Sequence, residues 1–269
     1  MHDRLQNLAM KAVDGVMACI PQSVPDRLAL ANCKIISHRG EHDNVSVIEN
    51  TLPAFEKARA NGVWGIECDI RWTQDLVPVI SHDACGSRLF GNASRISELK
   101  FPQLRAQMPL IPSLSELVDE FADNTHLMLE VKEEHYPQPQ RQKEILQAQL
   151  VSLRPGLDFH FLALDPRVFE QVDFVPRAFC FPVSELNARH LSRLAIEQQW
   201  GGLYGHFLLL TNRVRMQHER AGQLTGTGFV SSRNCLFREL NRGVEWIFSN
   251  NAVRIQKIRD HYLGLQGGC

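Results

Sequence analysis

The sequence predicts an α/β protein that forms a closed (β/α)8 barrel, preceded by a helical leader and carrying a β-hairpin after its second strand. Nine short apolar runs alternate with amphipathic helical stretches along the 269 residues, which is typical of parallel βα units. The connection 72–76 is too short to return the chain in parallel, so the second and third runs are expected to form a hairpin. Setting the third run aside leaves eight, the number that a closed barrel requires.

The first 33 residues are expected to be a helical leader to a single domain, 34–269. Apolar residues recur at helical spacing from Leu5 to Ile20, and Pro21 and Pro25 end this helix before the first strand. The polar face of the helix carries little positive charge, so packing against the domain is favoured over contact with a membrane surface.

The barrel elements follow in order. Strands are expected at 34–37, 65–71, 77–81, 126–131, 159–163, 177–181, 202–205, 223–230 and 246–249. Helices are expected at 52–61, 113–121, 140–153, 166–172, 187–198, 211–221, 235–242 and 252–262. Ser113 with Glu116 predicts a capping box, and Asp165 with Pro166 predicts an N-cap followed by an N1 proline. An open doubly wound sheet is the alternative, but no glycine-rich phosphate loop supports it.

The hairpin has a predicted register. If its turn is Thr73-Gln74-Asp75-Leu76, Asp69 lies opposite Ile80 and Glu67 lies opposite His82. Opposed residues share a face of the sheet, so this register would place His82 beside both carboxylates.

Composition narrows the class of protein. The chain has 29 Lys+Arg and 30 Asp+Glu, which lacks the basic excess of a nucleic-acid-binding surface. Its 7 Cys form no CxxC pair, which favours free thiols over a disulfide framework or a zinc knuckle. No secretory signal and no apolar run of membrane-spanning length is found, so a cytoplasmic location is expected. The sequence does not indicate an oligomeric state.

Three acidic residues form a candidate metal site. Glu67 and Asp69 are two apart on a strand, so their side chains share one face, where a cation would offset their repulsion. Glu130 precedes the charged end of another strand and is the third candidate ligand. Oxygen ligands suit Mg²⁺ or Ca²⁺, and also Mn²⁺, better than zinc. An isolated E-x-D pair is more often the solvent-facing side of an edge strand, but the neighbouring Ile66 and Ile70 favour burial.

Other polar residues also lie at predicted strand ends. His38 and His82 are an expected acid and base pair, since imidazole exchanges protons near neutral pH. Arg39 has the fork geometry that binds a phosphate, and Lys132 is expected at the barrel rim facing an anionic substrate. Glu49 precedes a helix start, where Asn50 or Thr51 would be the cap, and we also assign Glu49 to substrate binding.

These segments together resemble the glycerophosphodiester phosphodiesterase family, in order and roughly in spacing. The resemblance is carried by His38-Arg39-Gly40, Glu49-Asn50-Thr51, Glu67-Cys68-Asp69, Thr73-Gln74-Asp75, Pro78-Val79-Ile80-Ser81-His82-Asp83 and Glu130-Val131-Lys132. It implies a TIM barrel, a divalent metal at Glu67, Asp69 and Glu130, and phosphate binding by Arg39 and Lys132.

The resemblance also implies a reaction. Family members cut a small-molecule glycerophosphodiester to sn-glycerol 3-phosphate and an alcohol, through attack of the glycerol 2-hydroxyl on phosphorus. By this resemblance His38 is the base and His82 the acid. The chain departs from the family at 229–232 and 249–252, which line the mouth of the barrel, so the identity of the substrate stays open.

Two other functions compete with this interpretation. A lysophospholipase D-like activity on a lipid is suggested by the amphipathic leader, and a catalytically silent barrel could bind phosphodiesters as a sensor. A Ser-His-Asp hydrolase is disfavoured because no G-x-S-x-G elbow occurs, and an H-E-x-x-H zinc helix is also absent from the sequence.

Overall fold

The structure, a computed structural model, describes residues 15–265. Within them the strands are β1 (Lys34–His38), β2 (Gly65–Trp72), β3 (Pro78–Ile80), β4 (His126–Val131), β5 (Phe159–Ala163), β6 (Cys180–Ser184), β7 (Gly202–His206), β8 (Leu224–Gly228) and β9 (Trp246–Ser249). Parallel pairing runs in the order β1-β9-β8-β7-β6-β5-β4-β2, and pairing of β1 with β2 closes the ring. Strand β3 pairs antiparallel with β2 outside the ring. The predicted eight-stranded barrel with a hairpin excursion is confirmed.

The helices surround this ring. They are α1 (Arg27–Asn32), α2 (Leu52–Ala60), α3 (Phe101–Gln107), α4 (Leu114–Phe121), α5 (Pro139–Gln149), α6 (Ala188–Glu197), α7 (Asn212–Arg220), α8 (Arg233–Asn241) and α9 (Ala252–Leu265). Short 3₁₀ segments span Ile96–Glu98, Pro166–Val172 and Arg177–Phe179. Among residues 15–265, no helix combines the length and the apolar character needed to cross a bilayer.

The predicted helices differ from the observed ones in three places. Residues 166–172 are 3₁₀ rather than α-helical, although Asp165 caps them by accepting from the Arg167 N–H as expected. Helices α1 and α3 were not predicted, because neither short segment shows a full period of apolar residues. Of the predicted leader helix, residues 5–14 lie outside the described residues, whereas 15–19 are helical. The capping box of Ser113 and Glu116 at α4 is confirmed.

The predicted hairpin register is wrong by one residue. Ile70 lies opposite Ile80, and the Ser81 N–H donates to the Asp69 carbonyl, so Asp69 faces Ser81. Five residues, 73–77, separate the last paired residues, Trp72 and Pro78, one more than predicted. Thr73 binds Val77 across this loop through both its backbone N–H and its hydroxyl. Leu76 takes a left-handed conformation (φ 62°) that closes this longer loop. A shift of one residue exchanges the two faces of a strand.

Alternation along the strands separates two apolar layers. Residues such as Ile35, Ile66 and Leu127 pack outward under the helices, whereas Ile36 and Met128 point into the barrel. The interior layer also contains Leu162, Phe181, Tyr204, Trp246 and Phe248. Toward the carboxyl ends of β1, β2 and β4 the interior positions become polar, which places the candidate site above this layer.

Two buried imidazoles lie at the amino end of the barrel. The Nδ1–H of His126 donates to the Leu157 carbonyl (2.9 Å), so its Nε2 accepts from His160 Nδ1–H (2.7 Å), and both rings are neutral. Burial, opposed in His126 by the Leu157 hydrogen bond, lowers the pKa of His126 to about 4. Burial and the nearby His126 and Lys34 lower the pKa of His160 to about 3.

These imidazoles predict a loss of stability in mild acid. Because each folded-state pKa lies below the ordinary 6.5, the unfolded chain binds more protons, and stability present above pH 6.5 falls as the pH drops. We expect the free energy of unfolding to fall by about 2 kcal/mol per imidazole between pH 7.5 and 5. Urea titrations at both pH values measure this loss. His160→Phe should reduce the loss by about 2 kcal/mol, and the exposed-site control His190→Gln should leave it unchanged; an undiminished loss in His160→Phe would contradict the account.

Candidate active site

Three carboxylates converge at the carboxyl end of neighbouring strands. Glu67 and Asp69 lie on β2, and Glu130 lies on β4 directly beside Asp69 in the register. One oxygen from each lies within 4.8 Å of the others, and all three residues are buried. The spacing predicted from the sequence therefore brings these three acids together.

Lys132 lies among these acids. Its ammonium is 2.6 Å from Asp69 Oδ1 and 2.5 Å from Glu130 Oε1, and its side chain is only 8% exposed. The predicted placement of Lys132 at the rim is therefore wrong. The strand alternation that points Glu130 inward also points Lys132 inward, where two carboxylates hold its charge.

The charges of the acids are not balanced evenly. Burial would raise the pKa of Asp69, but Lys132 and Arg39 outweigh it and hold that pKa well below its ordinary value. Burial and the neighbouring Asp69 and Glu130 carboxylates raise the pKa of Glu67 well above its ordinary value. Burial also raises the pKa of Glu130, although Lys132 opposes it. The negative charge on Glu67 is thus the least compensated of the three.

The carboxylate cluster fits a divalent cation. Glu67 Oε1 is buried and has no hydrogen-bond partner among the described residues. A buried carboxylate oxygen without a partner is costly unless a cation or donor meets it. Three carboxylates supply the oxygen ligands that Mg²⁺, Ca²⁺ and Mn²⁺ prefer. The donor set therefore suits the metals expected from the sequence.

His38 lies at the end of β1, beside Glu67. Its Nδ1–H donates a hydrogen bond to Asn250 Oδ1 (2.6 Å). The ring lone pair is therefore on Nε2, which lies 3.8 Å from Glu67 Oε2. Burial, and then the charge of Arg39, lower the pKa of His38 to about 3. Phe229 packs its ring edge-on against His38 at 5.4 Å. His38 is therefore a neutral imidazole with a fixed tautomer.

His82 lies just after β3 and is held from two sides. Its Nδ1–H donates to Asp83 Oδ1 (2.8 Å), since a carboxylate can only accept. Its carbonyl accepts from Arg71 Nε (2.9 Å), and Arg71 in turn pairs with Glu134 (2.8 Å). Despite the shifted hairpin register, His82 remains close enough to Asp69 to lower the pKa of that carboxyl. Asp69 interacts electrostatically with His38 as well, so it is a shared neighbour of both imidazoles.

Arg39 bridges Glu49 and Asp69, one of the three clustered carboxylates. Its guanidinium lies 3.0 Å from Glu49 Oε1 and 3.3 Å from Asp69 Oδ2. Its backbone is left-handed (φ 58°), and its N–H donates to Glu67 Oε2 (3.1 Å). Gly40 follows with φ 78°, where a Cβ would lie 2.7 Å from Ala54 atoms. The tight turn after β1 therefore requires this glycine and aims Arg39 across the barrel mouth.

Asn50 orients Asp69. Its side-chain NH₂ donates to Asp69 Oδ2 (2.7 Å), and its own N–H donates to the Arg39 carbonyl (2.9 Å). The sequence offered Asn50 or Thr51 as a helix cap; Thr51 takes the N-cap position of α2 without a side-chain bond to the helix. Asn50 was therefore recognised only as a cap, and its contact with Asp69 was missed.

Two further polar residues of the site were not found from the sequence. Asn250, which fixes the His38 tautomer, directly follows β9, so the strand-end criterion that identified His38 could have found it. Arg88 pairs with Glu49 and Asp83 from the long connection after β3, and no periodicity or motif spacing indicated it.

The fold and the acidic cluster define a (β/α)8-barrel protein with buried charged side chains at the carboxyl end of its strands. Residues 38–168 match the model of the Glycerophosphoryl diester phosphodiesterase family. This part of the chain therefore matches the family that the resemblance predicted.

Two curated relatives match part of the chain. The chain is 36% identical to glycerophosphodiester phosphodiesterase 1 of Rattus norvegicus over a region that covers 41% of this chain and 39% of that protein. It is likewise 36% identical to the Homo sapiens protein of the same name, over 36% of this chain and 33% of that protein. The chain thus matches well under half the length of these curated relatives.

Two solved structures share the fold. A glycerophosphodiester phosphodiesterase from Thermotoga maritima aligns with a TM-score of 0.68 and 19% identity, over 84% of this chain and 98% of that one. An Oleispira antarctica phosphodiesterase, solved with its product sn-glycerol-3-phosphate, aligns with a TM-score of 0.73 and 19% identity, over 86% of this chain and 99% of that one.

Proposed function

We propose that this protein is a phosphodiesterase that hydrolyses glycerophosphodiesters to sn-glycerol 3-phosphate and an alcohol with the help of a divalent metal. The observation that carries this proposal is the convergence of Glu67, Asp69 and Glu130 near His38, His82 and Arg39. The names of the curated relatives and the product bound to the Oleispira antarctica enzyme support the same reaction.

In this proposal the metal is held by Glu67, Asp69 and Glu130. Mg²⁺, Ca²⁺ or Mn²⁺ bound there would supply positive charge to the phosphoryl oxygens and offset the charge that develops on them. The unpartnered Glu67 Oε1 and the raised pKa values of Glu67 and Glu130 support this ligand set.

The two imidazoles exchange the protons of the reaction. His38, neutral and with its Nε2 lone pair free, would take the proton of the glycerol 2-hydroxyl as it attacks phosphorus. His82, in its imidazolium form with Nδ1–H held by Asp83, would give its Nε2 proton to the leaving alcohol and become neutral. The roles reverse when water opens the cyclic phosphate that results.

Two cations are assigned to the phosphate. Arg39 is held in place by Glu49 and Asp69 with its side chain at the mouth, and Lys132 lies between Asp69 and Glu130. Glu49 would bind substrate only indirectly, by fixing Arg39, since its carboxylate is already engaged by arginine and by Asn44. A guanidinium fork and an ammonium point charge both suit a phosphodiester anion.

Metal removal and replacement test the proposal. After treatment with a chelator we expect the protein to lose turnover of glycerophosphocholine and glycerophosphoethanolamine, and to regain it with Mg²⁺, Ca²⁺ or Mn²⁺. A coupled assay for sn-glycerol 3-phosphate reports the product, and a lysophospholipid in the same panel tests the lipid alternative. Release of no glycerol 3-phosphate with any metal would contradict the proposal.

A further inference from the structure

Arg88 bridges Glu49 and Asp83, two carboxylates that are far apart in the sequence. It lies in the connection between β3 and α3, and its Nη2 and Nη1 donate to Glu49 Oε1 (2.6 Å) and Oε2 (3.2 Å). Its Nε donates to Asp83 Oδ2 (2.6 Å). A single guanidinium therefore bridges two carboxylates, one in the loop after β1 and one directly after His82.

Each of those carboxylates holds a residue that we assign to the reaction. Asp83 uses its second oxygen, Oδ1, to accept from His82 Nδ1–H (2.8 Å). Glu49 uses Oε1, the same oxygen that Arg88 binds, to accept from Arg39 Nη1 (3.0 Å). Arg88 therefore acts on His82 and Arg39 through the carboxylate that holds each of them.

Because Arg39 and Arg88 both bind Glu49, Arg88 affects how tightly Glu49 holds Arg39. Glu49 is buried, with a side chain 3% exposed, and Arg88 contacts both of its oxygens whereas Arg39 contacts one. With Arg88 in place, Arg88 balances part of the negative charge of Glu49. Glu49 then attracts the Arg39 guanidinium less strongly, so Arg39 can interact with an incoming anion. Without Arg88, Arg39 would be the principal cation beside Glu49 and would be held more tightly by it.

We propose that Arg88 is a positioning residue for the phosphodiesterase reaction, which sets the His82 ring through Asp83 and keeps Arg39 available for phosphate through Glu49. This inference rests on the proposed function. It assigns a role in the reaction to a residue outside the six segments that carry the family resemblance. That residue lies in the long connection between β3 and α3.

The exposure of Arg88 makes the test direct. Its side chain is 44% exposed, so truncation opens a space that a small ion from solution can enter. An exposed arginine contributes little to stability when both partners are in water, but here it meets a buried carboxylate in a fixed geometry. Because Arg39 and Asn44 still bind Glu49 when Arg88 is removed, catalysis should depend on Arg88 more strongly than folding does.

The experiment compares Arg88→Ala, Arg88→Lys and the matched control Arg95→Ala. Arg95 belongs to the same connection but has a side chain 60% exposed, and it pairs with Glu98 rather than with Glu49 or Asp83. We expect Arg88→Ala to lower kcat/KM roughly 100-fold, with contributions from both kcat and KM, because misplacement of reacting groups by about 1 Å has effects of that size. Arg88→Lys should recover part of this loss, since an ammonium can pair with only one of the two carboxylates at a time, and Arg95→Ala should match the wild type.

Guanidinium ion separates positioning from simple structural support. Added at millimolar concentration, it should raise the kcat of Arg88→Ala several-fold and leave Arg88→Lys and the wild type unchanged. Wild-type kcat/KM in Arg88→Ala would overturn the inference, and so would a loss that guanidinium does not relieve and that accompanies a lower melting temperature. A wild-type protein without turnover would instead overturn the proposed function, so the two failures are distinguishable.

Discussion

His38→Ala and His82→Ala are each expected to lower kcat by roughly 10²- to 10⁴-fold, the usual contribution of a general acid or base. His38 is neutral and has one ring nitrogen fixed by Asn250, so its removal takes away the group placed to accept a proton. His82 has its Nδ1–H fixed by Asp83, so its removal takes away the group placed to give one. Initial rates of glycerol 3-phosphate release measure both losses.

Two controls make this result specific. His261 is exposed on α9, and His261→Ala should retain wild-type kcat. Both site variants should bind Mn²⁺ with wild-type affinity, because the assigned ligands are carboxylates on β2 and β4. Turnover within threefold of wild type in either site variant would remove that imidazole from the mechanism. Binding of glycerophosphodiesters without turnover by the wild type would favour the silent barrel instead.

Glu67→Gln is expected to lower metal affinity at least 100-fold and to lower activity in parallel, since outer-shell substitutions alone cost 10- to 100-fold. The amide keeps the shape of the side chain but loses the charge that attracts a dication. Glu67 is also the acid whose partner-free oxygen and raised pKa mark it as least compensated within the described site. Calorimetric titration with Mn²⁺ gives the affinity, and rates at saturating metal give the activity.

The same variant is also expected to change the thermal stability of the metal-free protein, which can be measured without an activity assay. Without divalent ions, Glu67→Gln should melt at a higher temperature than the wild type, because it removes a buried carboxylate that is repelled by Asp69 and Glu130. Exposed Glu133 is the matched control, and Glu133→Gln should change neither metal affinity nor melting temperature. Unchanged Mn²⁺ affinity in Glu67→Gln would contradict the ligand assignment.

The barrel could be predicted from the sequence because its signal is repeated. Each of the nine apolar runs is weak alone, but their alternation with helices such as α4 and α6 leaves few topologies. The acids were found for a similar reason: strand periodicity puts Glu67 and Asp69 on one face, and parallel register then brings Glu130 beside them.

What the sequence did not predict depends on single residues rather than on periodicity. The observed hairpin register differs from the predicted one because Leu76 adopts a left-handed conformation. The apolar side chain of Leu76 does not predict this conformation. Lys132 was expected at the rim because charges follow Glu130 in the chain, whereas the two acids draw it inward. Arg88 reaches Glu49 across 39 positions of sequence, and such a contact exists only once the barrel has closed.

Diffraction from crystals soaked in Mn²⁺ and inorganic phosphate tests the central claim most directly. The account predicts one strong anomalous peak within coordination distance of Glu67, Asp69 and Glu130, with His38 and His82 on opposite sides of a phosphate bound next to it. A peak at another position, or two imidazoles too far apart to contact one phosphate, would contradict it.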